Sequence, residues 1–364
     1  MPKIRVLIVD DAVVVRRLLS DVLTNDPDLE VAGTAANGRI ALSKLPQLNP
    51  DLVTLDVEMP EMDGLEALAE MRKSYPKLPI IMFSTLTERG ASATLDALAL
   101  GANDYVTKPA NVGSVVAATQ SIRDELIPKI KAFCSEVTGV AKAATAVQPS
   151  IAGRRAAIPS VTRPQVARPT QRVDIVAIGV STGGPNALAK LLPGLPANFP
   201  VPVVIVQHMP PIFTKYLAQR LAASAKIPVC EGAPGDLLRS SGVWLAPGGY
   251  HMVLSRKIAA VHIQTNQDPL ENSCRPAADV LFRSVSELYG PRTLAVVLTG
   301  MGQDGLRGCK TIREAGGQII VQDEASSVVW GMPGSVAMAG LADQVLPLEQ
   351  LAPEIVRRVQ FGRL

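Results

Sequence analysis

The feature that most constrains this chain is a rhythm. Short β-branched runs alternate with helical patterns, and the runs end in residues that carry chemistry. In the first third the runs are Ile4–Val9, Glu30–Ala35, Leu52–Leu55, Ile80–Phe83 and Tyr105–Val106, with helical patterns such as Leu65–Arg72 and Leu95–Leu100 between them. The rhythm resumes with Asp174–Gly179, Val203–Gln207, Val243–Ala246, Leu294–Leu298 and Gln318–Val321. Helical patterns there include Phe213–Ala223, Ala278–Leu288 and Leu306–Ala315. Strand, helix, strand in this order predicts parallel sheets covered on both faces.

Between the two stretches the period is lost. Residues 134–172 are rich in Ala, Thr, Pro and Val; Pro149, Pro159, Pro164 and Pro169 would break a helix. The segment carries Lys142, Arg154, Arg155, Arg163, Arg168 and Arg172 against Glu136 alone, with no interleaved aromatic. It reads as a flexible linker rather than a nucleic-acid tail. The expected organisation is an α/β domain over 1–133, a linker over 134–172 and a second α/β domain over 173–364. A length of 364 residues suits two domains, and a net charge of +3 gives no nucleic-acid signal. The opening MPKIRVLIVDD is a strand ending in two acids, not a signal peptide, and no apolar stretch reaches the ~18 residues of a membrane span. Cys134, Cys230, Cys274 and Cys309 lack metal-ligand spacing and read as free thiols of a cytoplasmic protein.

In a parallel sheet, ligands bind beyond the carboxyl ends of the strands. There the first domain places Asp10 and Asp11, then Asp56, then Ser84, then Lys108 and Pro109. Three converging carboxylates call for a hard divalent cation, most simply Mg²⁺. A carboxylate there can attack phosphorus, giving an acyl phosphate on Asp56 that Ser84 would hydrogen-bond and Lys108 would neutralise. The strings LIVDD, LVTLDVEMPEMDG, FSTL and VTKP resemble the receiver domain of two-component response regulators over residues 4–125. The resemblance implies a flavodoxin-like doubly wound parallel sheet, Asp56 as phospho-acceptor and a histidine kinase as phosphodonor. It also implies Mg²⁺ ligation by Asp11, Asp56 and the Glu58 carbonyl, with Asp10 assisting. Gly64 looks like the glycine that ends the acceptor loop.

In the second domain, VDIVAIGVSTGGPNAL is a strand, a glycine turn and a helix start, with Ser181 at the turn. A dinucleotide loop would need G-x-G-x-x-G and an acid about twenty residues on. Gly179, Gly183 and Gly184 do not give that spacing, and FPVPVV near residue 200 has no acid. GVSTG instead fits a nucleophile elbow. His208 follows the next strand in VQHMP, and Asp304 lies in the glycine-rich loop LTGMGQDG. A serine needs a base to take its proton, and the base needs an orienting acid. Of three histidines, His262 lies in an apolar strand-like run and reads as structural; His251 follows a Gly-Gly turn and is a rival base. Asp304 is also placed to cap the helix beginning near Leu306. Cys309 sits within a helical pattern and is a poor nucleophile candidate. Backbone amides of Thr182, Gly183 and Met301 are candidates for stabilising an oxyanion.

The strings GVSTGGP, VQHMP, LAPGGYHM, CRPAADVLFRSV, LTGMGQDG and WGMPGSVA are together similar to CheB-type methylesterase domains over about 173–361. The resemblance implies a second doubly wound α/β domain that hydrolyses glutamate γ-methyl esters of chemoreceptors, releasing methanol, and deamidates receptor glutamines. It implies Ser181, His208 and Asp304 as nucleophile, base and orienting acid, with no cofactor for the esterase step, no nucleic-acid partner and no membrane insertion. One departure is Cys274, where the family pattern leads one to expect histidine; it is placed outside the triad. The receiver is expected to lie against the Ser181 edge until Asp56 is phosphorylated, with Ser84 and Tyr105 as switch residues. Tyr105 reads equally as a core aromatic. A catalytically inert scaffold, a DNA-binding regulator and a nucleotide-dependent oxidoreductase are the rival readings.

Overall fold

The computed structural model describes residues 2–109, 115–134, 171–258 and 260–363. The prolines expected to break the linker, and all its basic residues except Arg172, lie outside the described residues. At the borders of that segment, Cys134 is buried against the first domain and Arg172 pairs with Asp174 at 2.8 Å.

The first domain runs β1 (Ile4–Val9), α1 (Val13–Thr24), β2 (Leu29–Ala35), α2 (Gly38–Leu48), β3 (Leu52–Asp56), α3 (Gly64–Ser74), β4 (Ile80–Ser84), α4 (Glu88–Ala99), β5 (Asp104–Thr107) and α5 (Val115–Phe133). Its sheet is parallel throughout, in the order β2-β1-β3-β4-β5. The period of two sends alternate side chains of one strand to opposite faces. Leu7, Val9, Val53, Leu55 and Met82 join Leu45, Leu68, Met71 and Leu95 on one face. Ile4, Val6, Ile8, Ile81 and Phe83 join Leu19, Leu23, Ile122 and Leu126 on the other. Each such buried aliphatic chain contributes about 1.5–3 kcal/mol, which holds strand ends in register. Helix starts are set by side chains: Asn37 accepts from Ile40 N–H, and Asp63 forms a reciprocal capping box with Glu66.

The second domain runs β6 (Ile175–Val180), α6 (Gly184–Leu191), β7 (Val203–Gln207), α7 (Phe213–Ser224), β8 (Val229–Glu231), β9 (Val243–Leu245), β10 (His251–Lys257), β11 (Ala260–Asn266), α8 (Ala278–Tyr289), β12 (Thr293–Val297), α9 (Leu306–Glu314), β13 (Gln318–Gln322), α10 (Met332–Met338), β14 (Gln344–Leu346) and α11 (Leu348–Gln360). Seven strands form a parallel sheet in the order β14-β13-β12-β6-β7-β9-β8. From β6 the chain winds to one side through β7, then returns to the other side at β12. The switch point between β6 and β12 opens a crevice beyond their carboxyl ends. An antiparallel pair, β10 with β11, stands apart from this sheet and was not expected from the strand rhythm.

The two domains touch along α4, β5, α6 and α7. The Tyr105 and Phe213 rings stack with centroids 5.0 Å apart and planes 10° from parallel. Asn186 Nδ2 donates to Leu98 O at 2.8 Å, and Arg220 pairs with Asp96 at 2.6 Å. Tyr105 is thus a buried core aromatic that also bridges the two domains.

Candidate functional site

Two polar clusters form at sheet edges, one per domain. In the first, Asp10 and Asp56 are buried at the ends of β1 and β3. Lys108 Nζ lies 2.8 Å from Asp10 Oδ2 and 2.7 Å from Asp56 Oδ2. Carboxylate oxygens of Asp10, Asp11 and Asp56 lie within 4.8 Å of one another. Burial above all, helped by the Asp10 charge, pushes Asp56 up to about 6 against the pull of Lys108 and of a hydrogen bond from Glu58 N–H. Three carboxylates thus face a single ammonium, a charge imbalance that a divalent cation with oxygen ligands would relieve. A Cβ on Gly64 would sit 2.1 Å from Asp56 O, so only glycine fits where the acceptor loop turns into α3.

Ser84 is buried at the end of β4, but its hydroxyl donates to Gly90 O in α4 at 3.2 Å rather than to Asp56. The Glu58 side chain turns outward to Arg89 at 3.0 Å.

In the second cluster, Ser181 follows β6, His208 follows β7 and Asp304 lies in the loop after β12, which puts all three at the switch point. His208 N–H donates to Val180 O at 3.2 Å, tying His208 to the strand that leads to Ser181. Gln207 Nε2 donates to Ser181 O at 3.0 Å and His208 O at 3.2 Å, a second tie that the sequence reading missed. Gly183 adopts φ +78° to turn the chain into α6.

His208 Nε2 and Asp304 Oδ2 are 2.7 Å apart. Asp304 also accepts from Ala278 N–H at 2.5 Å, Asp279 N–H at 3.0 Å and Gly305 N–H at 3.0 Å. Its capping partners therefore include the first amides of α8, not just the helix that follows it. Burial alone would raise the Asp304 carboxyl; His208 and these amides hold it below the usual range. Asn272 Nδ2 bridges Asp304 Oδ1 at 2.7 Å and Asp279 Oδ2 at 2.9 Å. Asp279 is buried, and burial with the neighbouring Asp304 charge raises its carboxyl. A short polar pattern, Asn272 and then Asp279 at a helix start, was the available signal for this support.

Ser181 and His208 line one cleft of about 660 Å³, with Thr182, Cys274 and Met301 beside them. Among the described residues, no hydrogen bond joins the Ser181 hydroxyl to His208. Thr182 and Met301 line the cleft, and a Cβ added to Gly183 would meet Val328. The rival bases are occupied elsewhere: His251 is buried between Pro269 O and Ala277 N–H, and His262 Nδ1 contacts Gly235 O at 3.0 Å. Cys309 is buried in α9. Cys274, expected outside the triad, lies beside His208: its Sγ is 3.5 Å from Nδ1. Its separation of 66 residues from His208 hid that contact from a linear reading. The opposite wall of the cleft comes from the first domain, through Tyr105, Asp124, Glu125 and Lys129.

Two families match the two halves: the response regulator receiver domain over residues 6–120 and the CheB methylesterase over residues 176–355. A protein-glutamate methylesterase/protein-glutamine glutaminase of Trichodesmium erythraeum is 58% identical over 363 residues, covering 99% of this chain and 100% of that one. One from a Nocardioides species is 52% identical over 366 residues, covering 100% and 97%. The crystal structure of the Thermotoga maritima CheB methylesterase catalytic domain is 41% identical, with a TM-score of 0.50 over 51% of this chain and 99% of that chain. A receiver sheet and a methylesterase sheet in one chain, matched end to end by such relatives, place the protein in the CheB family of response-regulator methylesterases.

Proposed function

We propose that the chain hydrolyses glutamate γ-methyl esters of chemoreceptors, releasing methanol, and deamidates receptor glutamines, with its rate set by phosphorylation of Asp56. The observation that carries this reading is the 2.7 Å His208–Asp304 pair, whose histidine lines the same cleft as Ser181. Asp304 accepts from Nε2, so Nδ1 is the ring nitrogen that would take the Ser181 proton. The serine oxygen attacks the ester carbonyl, and backbone N–H groups among Thr182, Gly183 and Met301 would donate to the oxyanion. Methanol leaves with the proton from Nδ1; water then cleaves the acyl-enzyme by the reverse proton path. No cofactor is invoked for this step.

The receiver supplies one wall of the cleft and is joined to the other by the Tyr105–Phe213 stack, which supports its role in limiting entry of a receptor helix. Asp10, Asp11, Asp56 and the Glu58 carbonyl would hold Mg²⁺, which supplies charge neutralisation for phosphoryl transfer from a histidine kinase. The Ser84 hydroxyl, now on Gly90, would change partner toward the phosphoryl group. No helix among the described residues is long and apolar enough to cross a membrane, consistent with action from the cytoplasm on the cytoplasmic part of receptors. The test is methanol release from methylated receptor: Ser181→Ala should abolish it while leaving Asp56 phosphorylation intact. Methanol release that survives the substitution contradicts the reading.

A further inference from the structure

One short loop reaches both members of the proton relay. Glu271 and Cys274 exchange backbone hydrogen bonds at 3.1 and 2.9 Å. Arg283 of α8 grips the Glu271 carboxylate with contacts of 2.7 and 2.5 Å. Between them Asn272 and Ser273 hold φ +52° and +62°, a left-handed conformation that side-chain-bearing residues rarely adopt. The result is two contacts on the relay: Asn272 on Asp304, and Cys274 Sγ on His208 Nδ1 at 3.5 Å. The second contact falls on the only ring nitrogen left for Ser181, because Nε2 is committed to Asp304.

We propose that Cys274 is a positioning residue of the base: its sulfur occupies the Nδ1 side of the His208 ring at rest, and Ser181 gains the base only when that contact opens. This rests on the reading of Ser181 as nucleophile and His208 as base. Opening the contact frees Nδ1 for the Ser181 proton. Sulfur and serine oxygen therefore compete for one ring nitrogen. Burial pulls the His208 ring down, yet hydrogen bonds to Asp304 and Cys274, together with their charges, push it up to about 10. Other charged groups stand further from the ring. Arg275 lines the cleft from the same loop, and Asp279 lies behind Asp304 through Asn272. Asp104, Asp124, Glu125 and Lys129 face the cleft from β5 and α5 of the receiver. The ring's own hydrogen bonds go to Asp304 and Cys274.

The experiment is the pH dependence of kcat/KM for methanol release by the phosphodonor-treated full chain, compared with Cys274→Ala and Cys274→Ser. Serine keeps nearly the same volume and a hydrogen-bonding group but replaces the sulfur. The ascending limb is expected to move to lower pH in both variants by about one unit, which raises kcat/KM below the limb roughly tenfold with KM little changed. A limb that stays in place or moves upward in both variants overturns the proposal, because a purely packing role would change rates and not the limb. If the alanine variant does not fold, the serine variant carries the same test. Ser181→Ala is assayed in parallel. Its continued activity would sink the nucleophile reading itself, whereas an inactive Ser181→Ala with unmoved limbs sinks only the role of Cys274.

Discussion

The Asp56 site and the Ser181 site stand at the same place in two parallel sheets, yet their resting states differ. In the receiver, the central carboxylate is already engaged: Lys108 bridges Asp56 and Asp10 at 2.7 and 2.8 Å. In the methylesterase domain, the proposed relay has its inner contact but lacks its last link. His208 and Asp304 are joined, while Cys274 rather than Ser181 stands at Nδ1. Direct ion pairing assembles a site from groups on neighbouring strand ends. A proton relay needs an ordered chain of single contacts, and one competing group can interrupt it. On the proposed reading, the receiver site is arranged to take a phosphoryl group and the esterase site to be restrained.

The largest expected effect is on the relay. Asp304→Asn removes the acceptor for Nε2–H and favours the wrong tautomer; methanol release should fall by about 10⁴-fold in a direct assay. A loss below about tenfold would mean that the Asp304 contact is only structural. Next is the control site. Asp56→Asn should abolish the response to a small-molecule phosphodonor while basal methanol release persists, as followed by rates with and without the donor. Smaller still is the domain bridge: Tyr105→Ala removes a stack worth about 1 kcal/mol, so basal activity should rise roughly fivefold. Unchanged basal activity would separate the stack from the control of access. The smallest is Arg220→Ala, which breaks a half-exposed ion pair with Asp96. It should lower stability by no more than about 1 kcal/mol in denaturant melts, and less at high salt.

The His208–Asp304 pair also links stability to pH. The His208 ring is raised from 6.5 to about 10 in the fold, so its contribution is fully present below about 6.5 and is lost as pH rises toward 10. Asp304 is lowered, so its contribution is present above the usual carboxylate range and is lost only in acid. Thermal melts should therefore show a declining Tm between about pH 7 and 10. The decline should be smaller in His208→Gln.

Most of what is local was legible in the sequence. The β1 and β7 runs coincide with the strands, because buried β-branched residues between turn signals leave few alternatives. Placement at strand ends was enough to gather Asp10, Asp56 and Lys108, and to put Ser181, His208 and Asp304 at one switch point. What escaped depends on tertiary geometry. Cys274 reaches His208 only because a left-handed Asn272–Ser273 step folds its loop back over the base. Tyr105 finds its partner in Phe213, more than a hundred residues away and in the other domain. The β10–β11 pair follows from a turn near Ile258 that carries no Gly or Pro signal.

The coupling of the two sites is the central claim, and one measurement reaches it most directly: the initial rate of methanol release from methylated receptor by the intact chain, before and after treatment with a small-molecule phosphodonor and Mg²⁺. The account predicts a clear rise in the unmodified chain and none in Asp56→Asn. Equal rates before and after treatment, with Asp56 shown to be phosphorylated, would contradict it.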